Sequence, residues 1–166
     1  MKNNFSKKSR MDISKGPGVY IPPPLFYVLI FIGGVLLQKS IPINHIILHT
    51  IMAKVVAILL FLAALFFLIR SLKQFFITKN TVILFKPATS LQTTGIYAIT
   101  RNPMYVGLAL VYLGATVFIG NWWNIILFPI LILIVQEYII KREESYLAIE
   151  FGQEYEFYKK KVRRWL

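Results

Sequence analysis

Long uncharged apolar runs alternate along this chain with short stretches crowded with Lys, Arg, Gly and Pro. Four runs stand out. The first, from Leu25 to Leu37, reaches the ~20 residues a membrane-crossing helix needs once Val19 to Ile21 and Gln38 are added. The second runs from Thr50 to Ile69, the third from Tyr105 to Ile119 and the fourth from Trp123 to Ile140. Pro129 is expected to kink the fourth. Between the second and third, Ser71 to Ala88 mixes aromatic, basic and polar residues and reads as an interfacial segment. From Lys141 to Leu166 the pattern changes again. Leu147, Phe151, Tyr155, Tyr158 and Val162 recur at helical spacing on one face, with Glu156 and Lys160 as a supporting pair on another. Gly152 interrupts that helix. The pattern predicts an all-α integral membrane protein: four transmembrane helices, an interfacial segment before the third, and a C-terminal amphipathic helix on the cytosolic face. It forms one domain over residues 1–166, with a polar basic arm at 1–20.

Composition agrees. Of 166 residues 57% are hydrophobic and the mean hydropathy is +0.61, which excludes an ordinary soluble domain. The net charge of +12 could suggest nucleic acid, but Lys and Arg gather at the ends of apolar runs, where anionic headgroups lie. Nucleic acid is therefore not an expected partner, and membrane lipids are. All Lys and Arg except Lys39 and Lys54 fall in the N-terminal arm, the 70–104 segment or the C-terminal tail. The excess of Lys and Arg on cytoplasmic loops then places both termini in the cytoplasm. The expected location is an integral, multi-pass membrane protein, in the inner or plasma membrane if the source is bacterial. Lys54 is expected to extend to the outer interface. The basic N-terminus leads into no short apolar region with a cleavage site and reads as a cytosolic tail. Without Cys there are no disulfides and no thiolate chemistry.

Two features remain open. Gly33-Gly34 either admits another helix closely or only loosens its own, and would be the first place to seek a contact in a homo-oligomer. His45 and His49, four apart, could share a helix face as metal ligands, yet no third ligand lies nearby and interfacial polarity explains them. No metal site is expected.

The polar stretch Leu91 to Gly107 (LQTTGIYAITRNPMYVG) carries the candidate chemistry. Gly95 permits a turn that a Cβ resists, and Pro103 suits the first turn of a helix beginning there. Arg101 and Asn102 thus sit at the mouth of a membrane helix, where a helix N-terminus favours an anion or a polar cofactor head. Tyr97 and Tyr105 belong to the same block, and Glu137, Glu143, Glu144, Tyr155, Tyr158 and Arg164 are brought to the same side by the tail. Charges at the inner ends of spans are usually solvated, which accounts for Glu137, Lys141 and Arg142. That reading fits the Gly95–Tyr105 block less well.

GIYAITRNPMYVG followed by REESYLAIEFGQEYEFYKKKVRRWL closely resembles the isoprenylcysteine carboxyl methyltransferase family and its phospholipid methyltransferase relatives. The shared pattern is carried by Gly95, Tyr97, Arg101, Asn102, Pro103, Tyr105 and Gly107, then by Glu143, Glu144, Leu147, Phe151, Gly152, Tyr155 and Tyr158. Lys86-Pro87 and Leu91 also look like the family's approach to the motif, and the resemblance covers residues 70–166. It implies a membrane-embedded methyltransferase using S-adenosylmethionine without a Rossmann domain, in keeping with the lack of a strand–GxGxxG–helix unit. The cofactor would lie on the cytosolic side between the mouth and the folded-back tail. The implied cofactor-binding set is Leu91, Gly95, Tyr97, Arg101, Asn102, Tyr105, Glu143, Glu144 and Tyr155. Arg101 and Glu144 are the catalytic pair the resemblance implies.

Arg101 suits the cofactor's carboxylate as a rigid multidentate donor. Glu144 or Glu143 suits its ammonium or the sulfonium charge, and the three tyrosines can present ring faces or hydroxyls to a cation. A carboxylate acceptor needs no general base whereas an amine must lose a proton, and no His lies near this site. Methylation of oxygen is favoured on that ground, on a lipid or lipidated small molecule entering from the bilayer. The alternatives are a phospholipid N-methyltransferase and a non-catalytic lipid- or partner-binding protein of the same fold. Asn102 stands where eukaryotic carboxyl methyltransferases have His and cannot titrate. The ending Val162-Arg163-Arg164-Trp165 replaces the V-P-R-W of many relatives, and Arg164 either lines the site or meets headgroups.

Overall fold

The computed structural model describes residues 17–44, 46–77 and 90–166. The first 16 residues of the basic arm, His45, and 78–89 with Lys86-Pro87 and most of the interfacial segment lie outside the described residues.

Among the described residues five helices carry the fold: α1 (Pro23–Ser40), α2 (Ile51–Ile77), α3 (Pro103–Ile119), α4 (Trp122–Ile134) and α5 (Lys141–Lys161). A π-helical turn, Val135–Ile140, joins α4 to α5 without a break, and short 3-10 turns, Ile46–His49 and Gly95–Ala98, precede α2 and α3. Helices α1 and α2 and the helical stretch Trp122–Lys161 are long and apolar enough to cross a membrane, and α3 is a shorter apolar helix. We take the last span to end at Ile140, before the charged run Lys141-Arg142-Glu143-Glu144. The four expected apolar runs are these helices. With 17 residues α3 extends about 25 Å at 1.5 Å per residue, somewhat less than a hydrocarbon core of ~30 Å.

Several local expectations are refined. Helix α2 continues to Ile77, so the start of the stretch read as interfacial is helix: Arg70 and Lys73 face outward while Ser71 is buried and returns its hydroxyl to the Phe67 carbonyl at 2.7 Å. Pro129 lies inside α4 without ending it. Gly152 breaks the C-terminal helix, with φ 51 and ψ −121, values a side chain would resist. The aromatic stripe is bent there: Tyr155 and Tyr158 are buried, Leu147, Phe151 and Val162 half-buried, and Tyr146 joins the buried set. Glu156 pairs with Lys159 at 3.5 Å, an i,i+3 contact in place of the expected Glu156–Lys160 pair.

Small residues set the closest helix contact. Ala53, Ala57 and Ala64 turn one face of α2 toward α3. On α3, Gly107 and Gly114 are seven residues apart and meet Leu68 and Phe61, also seven apart; a Cβ on Gly107 would lie 2.7 Å from Leu68 Cγ. Gly34 settles its half of the Gly33-Gly34 question. An added Cβ would come within 1.8 Å of Asn124 Oδ1, so Gly34 admits α4 of the same chain, whereas Gly33 faces open space.

The core of Tyr27, Tyr105, Ala109, Tyr112, Leu131, Val135, Ile139 and Ile140 lies among α1, α3, α4 and the π-helical turn. Outward, Leu59, Leu62, Leu65 and Phe66 on α2 are exposed, the exterior expected when lipid is the solvent. Lys54 is exposed near the start of that helix.

Hydrogen bonds fix which ends lie together. Far from the mouth, Trp123 Nε1 donates to the Ile41 carbonyl at 2.7 Å and Asn121 Nδ2 to Gly34 at 3.2 Å. At the other end Tyr27 donates to the Tyr105 carbonyl and Arg142 to that of Gly18. Gln74, near the end of α2, donates to Thr94 at 3.1 Å. The start of α1, the end of α2, the start of α3 and all of α5 therefore share one end. The chain runs up and down, carrying residues 17–22 and the tail to the same side as the mouth.

Candidate functional site

The mouth is assembled from three pieces of chain. Gly95 (φ 62) opens a 3-10 turn that buries Ile96 and Tyr97. Arg101 and Asn102 follow, and α3 starts at Pro103 as its first residue. Asn102 occupies the cap position without capping; its side chain donates instead to the Arg164 carbonyl at 2.9 Å. The third piece is the tail beyond α5, where Val162 turns extended (φ −120, ψ 133) and the chain folds back over the mouth.

Three contacts bind tail to mouth through the tail's backbone. The Arg101 N–H donates to the Arg163 carbonyl at 2.9 Å, while Thr100 Oγ1 (3.1 Å) and Asn102 Nδ2 (2.9 Å) share the Arg164 carbonyl. A fourth runs from Trp165 Nε1 to Gln136 Oε1 at 3.2 Å, in the π-helical turn.

Inside this closure the charged groups meet. The Arg101 side chain is only 9% exposed. One terminal nitrogen lies 3.2 Å from Glu144 Oε1 and the other donates to the Tyr155 hydroxyl at 3.1 Å. Its Nε is buried without a partner. Glu144 also receives Arg164 at both oxygens, Nε to Oε1 at 2.8 Å and Nη2 to Oε2 at 2.6 Å. The hydrogen bond to Glu144 raises the Arg164 guanidinium above its already high pKa. Two guanidiniums thus share one carboxylate, leaving a net positive charge in a largely closed site.

Glu143, one residue earlier, faces elsewhere. Its carboxyl accepts from the Tyr105 hydroxyl at 2.8 Å, and burial pushes it up to about 7, with the Tyr105 bond pulling against that and the Glu144 charge adding to it. The adjacent carboxylates therefore differ in state: Glu144 is ion-paired, and Glu143 is poised between charged and neutral. Burial likewise pushes the Tyr155 hydroxyl up to about 12, so it stays protonated and neutral while accepting from Arg101.

Of the residues expected at the site, Arg101, Glu144 and Tyr155 are in direct contact, Asn102 joins through the Arg164 backbone, and Tyr105 joins Glu143. Tyr97 serves differently: its ring stands edge-on to Phe75 with centroids 6.0 Å apart, and its carbonyl accepts from Tyr158 at 2.7 Å. Gly95 shapes the turn on the α2 side, 3.4 Å from Gln74 Oε1 if given a Cβ, and Leu91 is half-buried just before it. Sequence reasoning passed over Thr100 and did not place Gln136 or Trp165 in the closure. A Thr two residues before an Asn at a helix start is a signal, since its hydroxyl can take the free N–H there: Thr100 Oγ1 accepts from the Asn102 N–H at 3.2 Å.

The residues fit S-adenosylmethionine on the structure's own terms. The orphaned Arg101 Nε leaves donor capacity for a carboxylate, and Glu144 is a carboxylate already holding cations.

A model of the phospholipid methyltransferase family matches residues 52–154. An uncharacterized protein of Haemophilus influenzae is 47% identical over 66 residues, 38% of this chain and 100% of that protein. The protein-S-isoprenylcysteine O-methyltransferase of Schizosaccharomyces pombe is 42% identical over 72 residues, 43% of this chain but only 30% of that enzyme's length. No solved structure matches the chain.

Proposed function

The chain belongs to the phospholipid methyltransferase family, and on that premise we propose that it transfers a methyl group from S-adenosylmethionine to a lipophilic acceptor at the cytosolic membrane face. The single observation that carries the cofactor reading is the nearly buried Arg101, held by Glu144 and Tyr155 with Nε left over. Arg101 would take the cofactor's carboxylate and Glu144 its ammonium, while the Tyr155 hydroxyl orients the guanidinium. S-adenosylmethionine supplies an electrophilic methyl group on its sulfonium. The chain's part is to position two partners and exclude water, which can supply much of the acceleration. The tail laid over Thr100–Asn102 serves that exclusion.

Methylation of an oxygen acceptor is the favoured reading, supported by the likeness to the Schizosaccharomyces pombe enzyme and by the absence of His at the described site. One observation favours the second reading, methylation of a phospholipid amine. Glu143, its carboxyl near 7, could accept the proton an amine must lose before it attacks. Labelled-methyl transfer by purified protein into an S-isoprenylated cysteine and into phosphatidylethanolamine decides between them. Label in the first alone supports the O-methyltransferase. Label in the second alone supports the amine. Label in neither, nor in a total lipid extract, contradicts the proposal.

A further inference from the structure

The charge arrangement at Glu144 is asymmetric. Arg164 makes the stronger grip, two hydrogen bonds with both oxygens, while Arg101 touches one oxygen at the longer distance of 3.2 Å. Exposure runs the other way: the Arg164 side chain is 28% exposed and Arg101 9%. Arg101 leads directly into the start of α3 and has nowhere to go. Arg164 stands in the tail beyond α5, at the rim. Its backbone is held independently of its side chain, because Thr100, Asn102 and Arg101 N–H all grip tail carbonyls. The Arg164 side chain can therefore swing into water while the tail stays in place.

We propose that Arg164 is an internal stand-in for the cofactor's ammonium group: it occupies Glu144 until a ligand bearing its own cation replaces it, and so makes the site select for amino-acid-bearing nucleosides. This rests on the reading of Arg101 and Glu144 as the S-adenosylmethionine site. The physical reason is the cost of an unpaired buried charge. Glu144 stripped of a cation in a closed site is strongly disfavoured, so a ligand without an ammonium gains nothing by displacing Arg164. A ligand with one exchanges cation for cation, and its carboxylate meets the spare Arg101 Nε. The apparent affinity is then the intrinsic affinity multiplied by the fraction of sites in which Arg164 has released Glu144.

The test pairs Arg164→Gln with wild type, and S-adenosylhomocysteine with 5′-methylthioadenosine, which lacks the amino-acid group. Binding is read by calorimetry, and melting temperature is read with and without ligand. The expected result is about tenfold tighter S-adenosylhomocysteine binding in Arg164→Gln, with 5′-methylthioadenosine unchanged. Without ligand the variant melts lower than wild type, and saturating S-adenosylhomocysteine removes the difference. Arg164→Lys, which keeps a cation but loses the two-pronged grip, falls between and serves if the Gln variant does not fold.

Weaker S-adenosylhomocysteine binding in the variants would make Arg164 a direct ligand contact and overturn the proposal. Unchanged affinity, with a melting deficit that persists in bound protein, would make it a plain structural ion pair and overturn it equally. In both cases the cofactor reading stands. No binding by wild type or either folded variant would overturn both.

Discussion

The two ends of the bundle are both polar and buried, but in different ways. Far from the mouth the contacts are neutral: Asn121 caps α4 through the Asn124 N–H, Tyr112 donates to the Asn124 carbonyl at 3.0 Å, and Trp123 reaches Ile41. These are amides and hydroxyls closing backbone groups at helix ends, as a low-dielectric surround demands. The mouth end adds Arg101, Glu144, Arg164 and Glu143. Among the described residues, buried polar atoms without partners are Gln38 Oε1, Thr116 Oγ1 and Asn124 Nδ2 at the far end and Arg101 Nε at the mouth. A neutral orphan costs modest stability. At the mouth the orphan is one N–H of a charged guanidinium that Glu144 and Tyr155 already hold, and that spare donor is what the proposed ligand site rests on.

Substitutions at the two ends should separate along that line. Arg101→Ala is expected to have the largest effect, weakening S-adenosylmethionine binding about 100-fold or more in calorimetry by leaving Glu144 to Arg164 alone. Folding at the far end should be untouched. Gly34→Ala should do the opposite. Its Cβ would collide with Asn124 and force α1 and α4 apart, costing about 1–3 kcal/mol in thermal unfolding, while protein that folds keeps its affinity. If Gly34→Ala loses affinity as steeply as stability, the two ends are one coupled unit and the comparison breaks.

A finer probe uses pH. Glu143 has a carboxyl near 7 in the folded protein against an ordinary 4.5, so between those values the folded state binds the extra proton. Its contribution is fully present below 4.5 and is lost as pH rises through 7. Melting temperature should therefore fall from pH 5 to pH 8 more steeply in wild type than in Glu143→Gln. Equal slopes would mean that Glu143 is not held in a dry surround. The smallest effect is expected at Lys159→Ala, whose pair with Glu156 is exposed on the tail helix. It should change stability by less than ~1 kcal/mol and binding not at all.

Much of this was legible in the sequence because it is local. A ~20-residue apolar run has few soluble alternatives, and Pro103 behind Arg101-Asn102 marks a helix start wherever it occurs. Gly152 likewise announced its break. The interval between α2 and α3 was less legible: Lys73 and Gln74 interrupt the apolar pattern, although the helix runs on to Ile77 with its charges turned outward. Contacts between distant segments were hidden. Arg164 and Glu144 stand twenty residues apart with a reversal between them, and periodicity says nothing about a tail that leaves its helix. Gly33-Gly34 left close packing and loosening equally open, and nothing in the sequence pointed to Asn124 as the partner of Gly34. Glu156 chose Lys159 over Lys160, a side-chain choice that spacing rules leave open.

The most direct test of the central claim is S-adenosylmethionine binding to detergent-purified protein by calorimetry, with Arg101→Ala and Glu144→Ala alongside. The account predicts saturable binding in the micromolar range, lost in both variants while their melting temperatures show them folded. No binding by folded wild-type protein, or binding that survives both substitutions, would contradict it.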